Sequence, residues 1–282
     1  MRTRVIRAAN GREAVYSVCS ALLADGREVS PREQLTRELS PVHLELVDPA
    51  DTLPDGINRV KLLPAIAAAE ALQNIAGVSM PGLMSRISSF FPKPTGRWGE
   101  GVETYGPRIG EQLRDVEALL KGDPDSREGV VSIWRDGDIV GGQAHNLCTV
   151  SLQFLVREGA LDLFVTMRSN DAWYGLCYDL FQFAQVQLTL ARCLDVPAGR
   201  YFHTAASMHL YERHWQAASE LRFPLRAWPP QHLTGLGSHA GMPWVYPRER
   251  ARKLLSGELP PQLTPTEQWY VDTLAPYEPD GS

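Results

Sequence analysis

The run Met167-Arg168-Ser169-Asn170-Asp171 closes an apolar stretch with a charged, hydroxyl-bearing cluster, and Gly175 and Asp179 follow it. An arginine beside a serine suits a phosphate, which accepts charge-assisted hydrogen bonds from both. The same pentapeptide also fits a solvated surface turn, and Asp179 also fits a helix N-cap. Glu70 interrupts an Ala- and Leu-rich run that ends at Gly77. Burial there would lift its pKa toward neutrality and suit it to proton transfer, while an exposed helix face is the plain alternative. The four cysteines, Cys19, Cys148, Cys177 and Cys193, lie far apart with no Cys-x-x-Cys pair, so neither a zinc knuckle nor a redox dithiol is indicated. Any of them fits an inert buried thiol, and a thiolate nucleophile needs a positive neighbour that spacing alone does not supply.

The elements that must carry these residues can be read from periodicity. Val150, Leu152, Phe154 and Val156 alternate, Arg157-Glu158-Gly159 supplies turn chemistry, and Leu161, Leu163, Val165 and Met167 alternate again, which predicts a hairpin of half-buried strands. Gly129–Trp134 reads as a third strand reached through the turn Gly122–Ser126. Helices are expected over Val60–Ala76, stopped by Gly77, over Glu111–Lys121, and over Leu180–Leu194. Residues 41–58 and 78–110, broken by Pro and Gly, read as long loops, and the chain from Pro224 is Pro- and Gly-rich with a mobile ending. The class is mixed α and β with the strands clustered mid-chain.

Composition narrows the function classes. With 28 Lys+Arg against 33 Asp+Glu, scattered through both halves, the chain lacks the electrostatic footprint of a nucleic-acid binder. Its 44% apolar and 22% charged residues are those of an ordinary globular protein, which excludes disordered and fibrous classes. The most apolar stretch, Leu62–Leu72, is broken by Pro64 and Glu70 and falls short of the ~20 residues a bilayer requires. The basic start, Met1–Arg7, has no apolar core behind it, so a reducing cytoplasm is expected.

Four segments, Asp123-Pro-Asp-Ser-Arg127, Asn146-Leu-Cys-Thr-Val-Ser-Leu-Gln-Phe-Leu-Val156, Met167-Arg-Ser-Asn-Asp-x-x-x-Gly175-x-x-x-Asp179 and His209-Leu-Tyr211, resemble the thymidylate synthase family in order and spacing. The resemblance covers roughly residues 55 to 215. It implies a single domain over 1–282 with that family's three-layer α/β (α+β) fold, a large mixed β-sheet flanked by helices. It is nearest to the pyrimidine hydroxymethylases, the phage deoxycytidylate and antibiotic-pathway cytidylate enzymes, because of Asp179. The synthases carry asparagine at that position to pair with the uracil edge. Cytosine inverts the edge, and a carboxyl that accepts at one oxygen and donates, when protonated, at the other matches it.

The resemblance implies the remaining roles. Cys148 is the nucleophile that adds to pyrimidine C6 and makes C5 reactive. Arg168 and Ser169 grip the phosphate, Arg127 reaches across a homodimer interface to the partner's phosphate, and Arg27 is a further phosphate ligand or a solvated arginine. His209 and Tyr211 hold the sugar hydroxyl. Asp171, with Gly175 beside it, holds the pterin of 5,10-methylenetetrahydrofolate, the co-substrate. Glu70 organises water near base and folate, and Tyr105 joins that proton network. Cys19, Cys177 and Cys193 are packing, and no metal is implied.

The departures from the family pattern are Leu147 and Thr149 around the nucleophile, Glu128 in place of a second arginine, and a polar ending, Pro279–Ser282, in place of an apolar lid. Glu128 removes one phosphate contact across the interface, while Thr149 and the polar ending, together with Asp179, imply capture of water rather than hydride at the C5 methylene, giving the 5-hydroxymethyl derivative of CMP or dCMP. A small Ala172 would open space for a 2′-hydroxyl. A thymidylate synthase acting on dUMP and a catalytically silent nucleotide binder are the rival readings.

Overall fold

The computed structural model describes residues 3–52, 64–89, 104–136, 138, 147–222 and 233–277. The N-terminal third supplies strand β1 (Arg4–Ala8), helix α1 (Gly11–Asp25), and strands β2 (Arg27–Val29), β3 (Thr36–Leu39) and β4 (Val42–Leu46). Helices α2 (Pro64–Ala76), α3 (Pro81–Ile87) and α4 (Gly106–Gly122) follow. The middle holds β5 (Val130–Ser132), β6 (Thr149–Arg157), β7 (Ala160–Met167), β8 (Asn170–Asp171), α5 (Gly175–Leu194), β9 (Ala198–Ala205) and β10 (Met208–Tyr211). Helices α6 (Trp215–Ser219), α7 (Val245–Ser256) and α8 (Pro265–Leu274) close the described chain.

Six strands form one mixed sheet in the order β1-β4-β9-β7-β6-β5, and four form a smaller one in the order β2-β3-β10-β8. The large sheet is flanked by helices, with α5 packed against β7 and β9 and α2 packed on α5 in turn. Val42, Leu44 and Leu46 point inward while His43 and Glu45 do not, the period-2 alternation of a strand with one covered face. Helix α5 is buried nearly all round, with Leu180, Phe181, Phe183, Val186 and Leu190 in the core alongside the polar Asp179, Gln182, Gln185 and Gln187. Among the described residues no helix is long and apolar enough to cross a membrane.

Several expectations are corrected. The strands are not confined to mid-chain, since four lie within the first 46 residues. The loop expected over 41–58 contains β4, and the loop expected over 78–110 contains α3 and the start of α4. Pro81 and Pro107, which read as breakers, sit in the first turns of those helices, where a missing N–H costs nothing. The Pro- and Gly-rich C-terminal third holds α7 and α8, the latter opened by a Thr264–Glu267 capping box. Helix α5 begins at Gly175 rather than Leu180, so Asp179 lies inside the helix and not at its cap. Residues 60–63 of the expected first helix and the ending 279–282 lie outside the described residues.

Two local devices position the site. The β6–β7 hairpin turns through Glu158 and Gly159, both left-handed at φ 53 and φ 76, the geometry of a two-residue primed turn. An irregularity between Thr149 and Ser151 shifts the pairing, so that Thr149 faces Met167 and the next residues outward, Cys148 and Arg168, meet. At the start of α4, a Cβ on Gly106 would lie 2.2 Å from the Val78 carbonyl oxygen and 2.3 Å from that of Gln73. Only glycine permits that approach, which seats the neighbouring Tyr105 against Phe183 of α5, ring centroids 5.6 Å apart.

Candidate active site

Cys148 sits at the mouth of the hairpin. Its carbonyl accepts from the Arg168 backbone N–H at 2.9 Å. The Arg168 side chain turns back so that Nε donates to the Leu147 carbonyl at 2.9 Å and Nη2 lies 3.7 Å from Cys148 Sγ. Burial raises the thiol pKa, and Arg168 counters it most strongly. The other three cysteines are buried, and Cys148 is the one of the four that retains exposed surface.

Beneath the thiol, helices α2 and α5 present a continuous polar seam. Glu70 and Asn74 stand one turn apart on α2, and Asp179 and Gln182 one turn apart on α5. Gln182 Nε2 donates to Asp179 Oδ1 at 3.0 Å and to Glu70 Oε2 at 3.3 Å, while its Oε1 accepts from Asn74 Nδ2 at 2.7 Å. Burial, and then the Asp179 charge, lift Glu70 to about 8. Glu70 keeps some surface at the cleft even though protein surrounds its carboxyl. Asp179 is lifted to about 7 by burial, against the pull of the Asn170 and Gln182 hydrogen bonds. Two carboxyls bridged by one amide thus titrate near neutrality, the condition for proton transfer at physiological pH. Tyr105, hydrogen-bonded to Thr149 and within the fields of Asp179, Cys148 and Glu70, has its pKa raised by burial and stays protonated.

The small sheet gathers the remaining groups. In the β8–β10 pairing His209 stands beside Asp171, and in the β10–β3 pairing it stands beside Glu38. Ser169 Oγ lies 3.3 Å from His209 Nδ1, and Tyr211 sits perpendicular to the His209 ring at 5.1 Å. The Asp171 carboxylate accepts from the backbone N–H groups of Trp173 and Tyr174 at 2.9 and 3.4 Å. Gly175 is closely approached, since a Cβ there would lie 3.1 Å from Asn170 Nδ2, a tight contact that Asn170 would have to shift to relieve.

Most of the residues picked from sequence therefore converge, namely Cys148, Arg168, Ser169, Tyr105, Glu70, Asp179, Asp171, Gly175, His209 and Tyr211. Two stand apart. Arg27, exposed on β2, pairs with Glu38 at 3.3 Å, and Arg127 lies on an exposed turn whose carbonyl accepts from Gln153. Ala172 is fully buried, with its N–H given to the His209 carbonyl, so its side chain does not line an open sugar site.

Sequence reading missed Arg32, whose charge lowers the pKa of both Cys148 and His209 from a left-handed backbone at φ 54. It also missed Asn74, Asn170, Gln182 and His203. The available signal was amide residues within apolar elements, since Gln182, Gln185 and Gln187 all fall in α5. Among the described residues no group of three or more His, Cys, Asp or Glu could hold a metal ion.

Fold and site together define an α/β protein in which a partly exposed cysteine is grouped with paired buried carboxyls and with arginine, serine and histidine. The thymidylate synthase family model matches residues 95–230. The chain is 31% identical over 216 residues to a deoxyuridylate hydroxymethyltransferase of Bacillus phage SP01, an alignment covering 69% of this chain and 55% of that protein. It is 31% identical over 124 residues to thymidylate synthases of two Listeria monocytogenes strains, HCC23 and CLIP80459, covering 44% of this chain and 39% of each. The chain thus spans about half the length, or less, of the curated relatives it matches. Over residues 95–230 it carries a thymidylate synthase family domain.

Proposed function

We propose that the protein is a one-carbon transferase that converts a cytidylate, CMP or dCMP, to its 5-hydroxymethyl derivative with 5,10-methylenetetrahydrofolate and water. The observation that carries this reading is Asp179, a buried carboxyl whose charge acts on the Cys148 thiol and whose pKa is pushed up to about 7. Near neutrality it offers one oxygen as acceptor and a proton as donor, the complement of the cytosine N4–N3 edge. A mismatched base would leave buried polar groups unpaired at about 1–3 kcal/mol each.

In this reading Cys148, with Arg168 favouring its thiolate, adds to C6 of the pyrimidine and makes C5 nucleophilic. Arg168, Ser169 and Arg32 hold the phosphate, and His209 and Tyr211 hold the sugar. Bound folate supplies the carbon at the oxidation level of formaldehyde. Asp171 fits its aminopyrimidinone ring, because an acceptor-only carboxylate held by two backbone N–H groups matches a pair of N–H donors. Glu70, protonated near neutrality and linked through Gln182 to the base-reading carboxyl, places and activates water at the one-carbon centre.

We further propose a homodimer in which Arg127, exposed in the monomer, enters the partner's phosphate site. The stacked pair Phe164–Phe202, 4.7 Å between centroids, and Val5, 72% exposed, leave apolar surface on the large sheet that a second copy would cover. A single domain accounts for the whole chain in this reading.

The names of the relatives favour a second reading, a uridylate substrate. Release of tritium from C5-labelled CMP, dCMP, UMP and dUMP, with identification of the folate product, decides between them. Cytidylate exchange with tetrahydrofolate as product is expected. Uridylate exchange alone, or dihydrofolate as product, would overturn the assignment, and the absence of any release would leave a nucleotide binder.

A further inference from the structure

Strand β5 runs out in a bulge. The backbone N–H groups of Ile133 and Trp134 both donate to the Val150 carbonyl at 3.0 Å, so two residues there oppose one residue of β6. Regular pairing would have put Trp134 on the face of Val130 and Ser132, both of which are exposed. The extra residue breaks that alternation, and the indole comes to lie against Arg168, whose guanidinium carbon is 5.5 Å from the ring centroid. That separation lies within the reach of a cation–π attraction.

The indole is held there from both sides along the chain. Ser132 Oγ donates to the Trp134 carbonyl at 3.1 Å. Arg108 of α4 donates to the Ile133 carbonyl at 2.9 Å and to Asp138 Oδ1 at 3.0 Å, and Asp138 accepts from the Arg135 backbone N–H at 2.7 Å. Val150, two residues beyond Cys148, ties Trp134 to the strand that follows the thiol. The ring and the sulfur therefore share one frame, and Arg168 spans them. Its Nε donates to the Leu147 carbonyl at 2.9 Å, its Nη2 lies 3.7 Å from the sulfur, and the indole lies against its guanidinium.

A guanidinium gains most from an aromatic face while it stays over the ring, so the indole opposes a swing of the cation away from the sulfur. We propose that Trp134 is a positioning residue that keeps the Arg168 guanidinium beside the Cys148 sulfur and so sustains the thiolate. The inference rests on the reading of Cys148 as the reactive thiol and does not depend on which pyrimidine it attacks. Asp179 of α5, Arg32 of the turn before β3, Asp171 of β8 and Tyr105 at the start of α4 also act electrostatically with the thiol, and a change at 134 alters none of these side chains.

The test follows alkylation of Cys148 by iodoacetamide from about pH 6.5 to about pH 10.5 in the parent, Trp134→Leu and Trp134→Phe. Leucine keeps an apolar cover without a π face, and phenylalanine keeps a face. At about pH 7.5 Trp134→Leu is expected to react roughly 2- to 5-fold more slowly than the parent, and Trp134→Phe less than about twofold more slowly. Because the loss is of thiolate, the leucine profile should shift to higher pH and converge on the parent at the alkaline end. A ring that merely shaped access to the sulfur would slow the reaction at every pH. In an Arg168→Ala background Trp134→Leu should slow the reaction no further.

Fluorinated tryptophans inserted at position 134 give an independent reading, and they decide the matter if Trp134→Leu does not fold. Fluorine draws electron density from the ring with little change of shape, so the rate should fall stepwise from the mono- to the trifluoro residue. A leucine variant that alkylates like the parent overturns the inference, as does a loss that is uniform in pH, a loss that persists without Arg168, or a flat fluorination series. No nucleotide enters these measurements. A parent enzyme silent on cytidylates would therefore sink the proposed reaction and leave the role of Trp134 to be judged on its own coupling to Arg168.

Discussion

Nη2 of Arg168 lies 3.7 Å from Sγ of Cys148, and the two residues are joined a second time by a backbone hydrogen bond of 2.9 Å between the Arg168 N–H and the Cys148 carbonyl. The backbone at Arg168 is thus tied to that at Cys148, and Nε of the side chain is anchored on the Leu147 carbonyl. Burial raises the thiol pKa and Arg168 opposes that rise.

Removing the cation tests this opposition. In Arg168→Ala the thiol pKa should rise further, and alkylation of Cys148 by iodoacetamide at about pH 7.5 should slow roughly 3- to 10-fold, with Arg168→Lys keeping most of the rate. Cys148→Ala identifies the labelled site by mass. An unchanged alkylation rate in Arg168→Ala would show that the guanidinium does not act on the sulfur.

Stability should depend on pH through the carboxyl pair. Glu70 titrates at about 8 in the folded chain against an ordinary 4.5, so the folded state binds its proton more tightly than the unfolded state does. Its contribution is fully present below about 4.5 and is lost as pH rises through about 8. Asp179 acts in the same sense between 3.8 and about 7. His203 runs the other way, its contribution present above 6.5 and lost as pH falls toward about 3. The melting temperature should fall by a few degrees between about pH 5 and about pH 8.5, and Glu70→Gln should flatten the upper part of that fall. An equally steep profile in the variant would contradict the placement of the proton on Glu70.

Tyr105 offers a split between binding and chemistry. Its hydroxyl reaches Thr149, next to the nucleophile, and burial keeps it protonated. Tyr105→Phe retains the packing on Phe183 and removes only the hydroxyl. We expect kcat to drop roughly 10- to 100-fold with nucleotide KM within about twofold. A variant that instead weakened nucleotide binding at constant kcat would place the hydroxyl on the substrate rather than in the proton network.

Gly106→Ala is expected to be destabilising out of proportion to one methyl group, by on the order of 2–4 kcal/mol in chemical denaturation, because the added Cβ would meet two backbone carbonyl oxygens that cannot move aside. Gly122→Ala, where a Cβ meets nothing within 4 Å, is the control and should shift stability little. Equal effects at the two positions would mean that α4 can re-seat itself, and Tyr105 with it.

The periodicity of Val150–Met167 determined the hairpin, and the order of its motifs determined the family resemblance and most of the cleft, because alternation and short motifs are local properties that a strand expresses wherever it packs. Sequence could not decide that Cys148 meets Arg168, since the one-residue shift near Thr149 sets that register. Nor could it show that Asn170 and Gln182, from β8 and α5, converge on one carboxyl, with His203 of β9 bonded to Asn170 behind it. Their side chains are ordinary polar residues until burial makes each unpaired hydrogen-bonding group costly. The pKa values of Glu70 and Asp179 likewise belong to the fold, because desolvation is conferred by the layers that close over a residue and not by the residue itself.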